Sequence, residues 1–477
     1  MISINKNIQS EILMTTMEEI VPQDSLFRKI DKYIDFTFIY DEVKDLYCKN
    51  NGRPSIDPVV LFKIVFIQAL DGIKSMRKTC EKIKVDAEYR WFLGIPFGQD
   101  TPHFSTFSKN YERRFAGTKV FENIFINIVN QAIKYNLIDG ETFYTDSTHK
   151  KANANKNNYV DMIEEIVKER REWLEEEINE ERIKQGRKPF KFEDKKEEKH
   201  IKVSKTDKES GYYHRDNKEK GFMYLDHRTV DDKCNIIIDC YVTKGNVHDS
   251  EPFISRAEYI KKTFGFNIKN YAVDSGYLTL DIKKYFIDNN IFGVFGYRRY
   301  GTPESRKEKS KYEYNKELDI YVEKETGEVL EYSGLIDKNG YKKYQNLDKS
   351  KKVLRHIHEE WNELFRENRI SEKGKKLYQQ RKEHVERSFA DSKQNHGYRY
   401  AVYKGIEKNQ NYTWLICAAQ NMKNIAIKKE KVNEKALTNI SFIANIKNFI
   451  KNIKHLTKKF YIRKPLEKNL GVCLHSE

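Results

Sequence analysis

The hydrophobic period of the chain changes near Glu141, and that change limits what it can fold into. Before it, apolar residues recur at helical spacing: Asp57 and Pro58 supply an acidic N-cap and a proline at the first helical position, residues 59–70 run apolar, and Gly72 stops the helix. Further short helices are expected over 75–83, 89–93 and 102–114. After Glu141 the runs are short and β-prone. Thr142-Phe-Tyr-Thr-Asp146 ends in a carboxylate, 222–230 and 235–243 form a hairpin around 231–234, and Tyr271-Ala-Val-Asp274 is a second short strand ending in a carboxylate. Helices over 250–264 and 280–288 and a strand over 291–297 complete a strand, hairpin, helix, strand, helix, strand succession. That is an all-α unit followed by an α/β mixed sheet flanked by helices.

Two segments interrupt this succession. Residues 160–187 carry mixed charges and are expected to form a long solvated helix, whereas 300–350 alternate in short Tyr- and Glu-rich runs and predict a small β insertion. Residues 375–394 contain neither Pro nor Gly and predict one uninterrupted helix. At about 100° per residue, Lys382, Glu386, Phe389 and Lys393 share one of its faces.

Three carboxylates, Asp146 and Asp274 at strand ends and Glu386 on that helix, are 128 and 112 residues apart in sequence. Strand ends in α/β sheets are where ligands collect. Carboxylates converging from two strands and a helix can hold two divalent cations about 4 Å apart, the arrangement for in-line phosphoryl displacement. Oxygen donors suit Mg²⁺ or Mn²⁺, and six scattered cysteines without a CxxC pair argue against catalytic zinc and against a disulfide framework. A Glu/Lys pair on a solvated helix is the competing reading of Glu386. Charge decides the partner class: Lys and Arg number 88 against 72 Asp and Glu, a net +16, which favours a polyanion. No apolar run approaches the roughly 20 residues that span a bilayer, so no membrane partner is expected and a reducing cytoplasm fits.

The motifs TDSTHKKANANK at 145–156, GYYHRDNKEKGFMYLDHRTV at 211–230, TKGNVHDSEP at 243–252, AVDSGY at 272–277 and RKEHVERSFADSKQNHGYRY at 381–400 resemble those of the bacterial insertion-sequence DDE transposases. The resemblance runs from about 51 to 425. It implies an RNase H-like (retroviral-integrase-like) catalytic core, with Asp146, Asp274 and Glu386 as the catalytic, Mg²⁺-binding triad and Lys393 as the basic residue after the glutamate. It also implies that double-stranded DNA, as terminal inverted repeats and target, is the partner, that the active complex is a homo-oligomer, and that the protein works at the bacterial nucleoid. Related enzymes place a Tyr and an Arg seven and four residues before the glutamate. Here Gln379 and Lys382 hold those slots, with Tyr378 and Arg381 each one residue further upstream. In an uninterrupted helix that residue would turn Arg381, the candidate phosphate contact, by 100°. Related chains also carry a cysteine cluster in the second insertion, and residues 300–375 contain no cysteine.

The division expected is a lead over 1–51, a helical, helix-turn-helix-like DNA-binding unit over 52–135, a catalytic unit over 136–430 with a helical insertion at about 155–210 and a β insertion at 300–375, and a basic helical tail over 431–477. In the helical unit Lys109, Arg113 and Arg114 are candidate phosphate contacts, against the alternative of a bundle with a solvated basic face. Tyr212, Tyr213, His214 and Arg215 combine aromatic and basic groups that can stack on a splayed base, or form a plain exposed loop. His149 and His248 are candidates to position water or phosphate near the metals, or structural histidines. From 423 to 468, thirteen Lys or Arg face three Glu, so the tail either rides on DNA or on another subunit as an amphipathic helix, or is merely solvated. Three functions remain open: a transposase, an inactive copy that only binds the inverted repeats, and an RNase H-like nuclease that never joins strands.

Overall fold

A computed structural model describes residues 2, 14–48, 54–167, 170–194, 196–214, 219–298 and 308–461, with side chains described to 435. Among the described residues eight α-helices come first: α1 (Met17–Ile20), α2 (Leu26–Tyr33), α3 (Phe38–Val43), α4 (Pro58–Leu70), α5 (Met76–Val85), α6 (Ala87–Leu93), α7 (Ser105–Asn110) and α8 (Val120–Lys134). Asp57 caps α4 through the amides of Val59 and Val60, as its sequence requires. Phe27, Ile30 and Ile39 of the lead share one core with Phe62, Phe66 and Phe121, so residue 51 marks no packing boundary.

The central sheet is built from β1 (Thr142–Lys151), β4 (Gly211–Tyr213), β5 (Gly221–Asp231), β6 (Ile237–Lys244), β7 (Asn270–Val273) and β8 (Phe292–Phe295). β5 pairs antiparallel with β1 and β6, while β7 lies parallel between β1 and β8. The order β6-β5-β1-β7-β8, with three antiparallel strands followed by two parallel ones, is the RNase H-like arrangement. Helices α10 (Phe253–Phe264) and α11 (Leu280–Asp288) make the connections between β6, β7 and β8.

The first insertion departs from expectation. Residues 159–167 are not helical; β2 (Tyr159–Val167) pairs antiparallel with β3 (Lys196–Ser204), and only α9 (Glu172–Lys184) between them is a helix. The β-branched residues Val160, Ile163, Ile166 and Val167 favour strand, and the ribbon sets Glu164 opposite Lys199 and Asp161 opposite Lys202, pairs that stabilise facing strands. Charge patterning alone suggested a helix because it ignores the partner strand. The second insertion is β, as expected: β9 (Tyr312–Asn315), β10 (Ile320–Glu323), β11 (Val329–Ile336), β12 (Tyr341–Gln345) and β13 (Lys352–His356) form an antiparallel sheet around Tyr312, Tyr321, Leu330 and Tyr344.

Four helices follow: α12 (Glu359–Ile370), α13 (Glu372–Arg381), α14 (Arg387–Asn395) and the 56-residue α15 (Ile406–Tyr461). α15 runs through the expected boundary at 431 and packs on α2, α4, α8 and β6. It also closes the open edge of the sheet. The side-chain amide of Asn421 accepts from the Ile237 amide and donates to the Ile237 carbonyl, both at 2.8 Å, and that of Gln410 accepts from Val242 and donates to Cys240 at 2.7 and 3.0 Å. An exposed edge strand would otherwise invite pairing with another chain. Gly72, with φ +60°, lets α4 end against the end of α14: a Cβ there would lie 2.8 Å from the Asn395 carbonyl. Among the described residues no helix is long and apolar enough to cross a membrane.

Candidate active site

Strand pairing brings the two aspartates together. Thr145 pairs with Val273 in the parallel β1/β7 ladder, so Asp146 and Asp274 are the next residues on neighbouring strands, which lie about 4.8 Å apart. Glu386 arrives on the helix that packs over β1 and β5. One guanidinium joins the groups: Arg381 Nη1 donates to Asp146 Oδ2 at 2.7 Å and Nη2 to Glu386 Oε1 at 3.2 Å, while the Tyr378 hydroxyl lies 3.4 Å from Asp274 Oδ1. The three candidate ligands are thus arranged around Arg381. Among the described residues, however, no three carboxylate, imidazole or thiolate groups close around an ion position.

The helix that delivers Glu386 is not regular, and this corrects the sequence reading. Residues Lys382–Glu386 form a π-turn between α13 and α14. A π-turn absorbs one extra residue without changing the direction in which the flanking helices face. Tyr378 and Arg381, one residue too far upstream for a regular helix, are returned to the face that Glu386 occupies. The continuous face from Lys382 to Lys393 is split accordingly: Lys382 is exposed, Phe389 is buried under the Arg228 guanidinium at 4.7 Å, and Lys393 Nζ donates to Thr148 of β1. The π-turn is held by His384, whose ring stacks on Tyr144 at 5.0 Å and whose Nε2 lies 3.4 Å from Asp232. Deleting the exposed Glu383 should convert the π-turn to α-helix, keep Arg381 between Asp146 and Glu386, and leave the melting temperature equal or higher. A loss of more than about 2 °C in a thermal scan, on the order of 2 kcal/mol for a chain of 477 residues, would show that the extra residue is needed.

Burial sets the electrostatics. Removal from water pushes the Asp146 carboxyl up from its usual range; Arg381 pulls it down, and the Asp274 charge pushes it up again. Burial works most strongly against the Arg381 charge, but Asp146, Tyr378 and Asp274 together more than compensate and the Arg381 pKa is raised. Beneath the site lies a second, fully buried ion pair: Arg228 Nη2 donates to Asp226 Oδ2 at 2.7 Å. Arg228 also donates to Ser388 and Ser392 of α14 and to Gln420 of α15. Lys150, fully buried over the Tyr398 ring, is pulled down to about 8 by burial.

Several predicted residues lie elsewhere. Side chains alternate along β1, so His149 points to the opposite face from Asp146; its Nε2 is 3.1 Å from the Gly245 carbonyl and its ring 3.8 Å from Tyr213. His248 is exposed and bonded to Ser250 Oγ at 2.7 Å. Lys109 and Arg113 are exposed on α7 and the turn after it, whereas Arg114 folds over Tyr47 at 4.4 Å and bonds Asn110. Arg215 lies outside the described residues.

Two residues at the site escaped the sequence reading. Asp249 accepts from Ser147 Oγ at 2.6 Å, anchoring β1 just past Asp146; it stands in the quoted TKGNVHDSEP motif, directly after His248. Gly296 forms the floor beside Asp274: a Cβ there would sit 2.8 Å from both Asp274 Oδ1 and the Tyr378 hydroxyl and 2.5 Å from the Ser275 amide. Nothing in the sequence marks it. Gly296→Ala should displace the Asp274 carboxylate and lower DNA cleavage by about 10- to 100-fold, in keeping with the cost of misplacing a reacting group by about 1 Å. Cleavage unchanged in that variant would show that Asp274 is free to move.

Residues 15–113 match the family described as a transposase domain (DUF772), and residues 341–426, which include Glu386, match the transposase DDE domain. The two matches support a DDE transposase of insertion-sequence type. This transposase also aligns with the cryo-EM structure of the piggyBac transposase synaptic complex with hairpin DNA, at 11% identity and a TM-score of 0.34, over 87% of this chain and 74% of that one. No curated protein matches the transposase.

Proposed function

We propose that this transposase binds the terminal inverted repeats of its own insertion sequence, cleaves the ends and joins the freed 3′-OH to target DNA, with Asp146, Asp274 and Glu386 as the catalytic, metal-holding residues. The observation that carries the reading is the single Arg381 guanidinium bonded to both Asp146 and Glu386, with Asp274 on the adjoining strand end. A cation already stands among these carboxylates, and their donors are all hard oxygens, so the site fits Mg²⁺ or Mn²⁺. When bound, two such ions would supply charge to the attacking and leaving oxygens of an in-line displacement. The chain's own contribution is positioning. Arg381 fixes the Asp146 and Glu386 carboxylates and offers positive charge to a scissile phosphate. Tyr378 steadies Asp274, and the Lys393–Thr148 bond ties α14 to β1.

In this reading Lys109 and Arg113 contact phosphates of the repeat, and the protein acts on cytoplasmic, nucleoid DNA as a homo-oligomer. The test is cleavage of a duplex bearing the short inverted repeats that flank the gene. Full-length protein should cut at the repeat ends with Mg²⁺ or Mn²⁺ and stop when EDTA is added. Repeat-specific binding with no cutting under either metal would instead identify a repeat-binding protein from a decayed element. Cutting without joining would identify a nuclease.

A further inference from the structure

Two open cavities, of about 530 and 500 Å³, adjoin along β1 beyond Asp146 and share His149 and Tyr213. The nearer is lined by Ser147 and Thr148, directly after Asp146, and by Lys393, Arg399 and Tyr400. The farther reaches the β2–β3 ribbon, where Lys199, Lys202 and Tyr212 line it. Together they make one path from Ser147, next to Asp146 in β1, to the inserted ribbon. Five Lys or Arg side chains line this path against two acids, Glu219 and Asp249, and both acids already have partners in Lys151 at 2.6 Å and Ser147. The path therefore presents net positive charge to a polyanion. Its aromatic groups are spaced along it. Tyr400 is 52% exposed, Tyr213 sits against the His149 ring, and Tyr212 lies edge-on to Phe222 at 5.2 Å with Lys202 Nζ 5.0 Å from its ring.

We infer that this groove holds an unpaired DNA strand leading away from the cleavage site, its bases stacking on Tyr400 and Tyr213 and its phosphates tracked by Arg399, Lys199 and Lys202. A duplex keeps its base faces covered by neighbours, so exposed aromatic platforms gain nothing from it. A separated strand presents a π-face at every base. Each cavity falls in the size range of small-molecule sites, and positive charge with interleaved aromatics is the pairing that unpaired nucleic acid requires. This assignment rests on the transposase reading above for its direction, but its binding chemistry does not depend on cutting.

The experiment uses full-length protein, a fluorescein-labelled 12-nucleotide oligothymidylate and a random 12-base-pair duplex, read by anisotropy. Tyr213→Ala and Tyr400→Ala should each weaken oligothymidylate binding on the order of tenfold or more and leave duplex binding within twofold, while Tyr213→Phe restores it. Arg399→Ala should flatten the salt dependence by about 0.7 in log–log slope, the value for one phosphate on a single strand. If both alanine variants bind the oligonucleotide as the parent does, or lose duplex binding equally, the groove is not a single-strand site. Tyr400 lies on the surface, so Tyr400→Ala decides the matter should Tyr213→Ala melt early. Asp274→Asn separates the two readings: it should retain oligothymidylate binding, and normal cutting by it would overturn the catalytic assignment while leaving the groove standing.

Discussion

Asp274→Asn is expected to lower Mg²⁺-dependent cleavage of repeat-bearing DNA by three orders of magnitude or more, with the DNA-binding curve nearly unmoved. The amide preserves size and one acceptor oxygen but removes the charge that helps hold a divalent cation. Because electrostatic stabilisation acts mainly in the transition state, the loss should fall on the rate and not on affinity. The fold has little reason to change, since the polar contact made by Asp274 is with the Tyr378 hydroxyl at 3.4 Å, which an amide oxygen can still accept. Asp281 provides the control: it opens α11 and pairs with Arg171 at 2.8 Å, so its Asn variant should cut like the parent. Equal cutting by parent and Asp274→Asn would end the two-metal reading.

The largest stability effect is expected beneath the site. Asp226 and Arg228 are both fully buried, and Arg228 fastens β5 to α14 and α15 through Ser388, Ser392 and Gln420. Replacing Asp226 by Asn leaves the guanidinium buried without its counter-charge, with Lys150, also buried, nearby. Stranding one member of such a pair costs about 3–5 kcal/mol, a fall in melting temperature of about 3–5 °C for 477 residues melting together. The double variant Asp226→Asn, Arg228→Met should recover part of it, because an apolar replacement of the pair is often tolerated. A shift below about 2 °C in the single variant would mean that water already reaches the pair.

Much of this was legible from residues. Short apolar runs ending in carboxylates announced Asp146 and Asp274, and the β1/β7 register placed them side by side; Asp146 is mid-strand, however, because β1 continues to Lys151 on its β5 side and only its pairing with β7 stops at Thr145. Asp57 with Pro58 fixed the start of α4, and the helix expected over 280–288 is α11. What stayed hidden depends on partners distant in the chain. The segment 159–167 reads as helix until Lys196–Ser204 is laid against it, and Gly296 looks like any strand-end glycine until Asp274 and Tyr378 close over it. The π-turn escaped for a related reason. Spacing counted along the sequence assumes one helical period throughout, and the hold that His384 has on Tyr144 and Asp232 accompanies a turn where that assumption fails.

The amides of α15 that close the β6 edge have a consequence for which insertions and deletions the chain can accept. Gln410 and Asn421 are eleven residues apart, three turns of helix and roughly 16 Å; their partners Val242 and Ile237 are five residues apart, again roughly 16 Å of strand. Helix and strand are read against each other like two scales of a vernier. One residue gained or lost between 410 and 421 would leave one end of β6 unpaired, whereas the segment between Arg381 and Glu386 already carries a surplus residue with its groups still aligned. Tolerance to length change in this protein is therefore local, set by whether a helix is gauged at one point or at two.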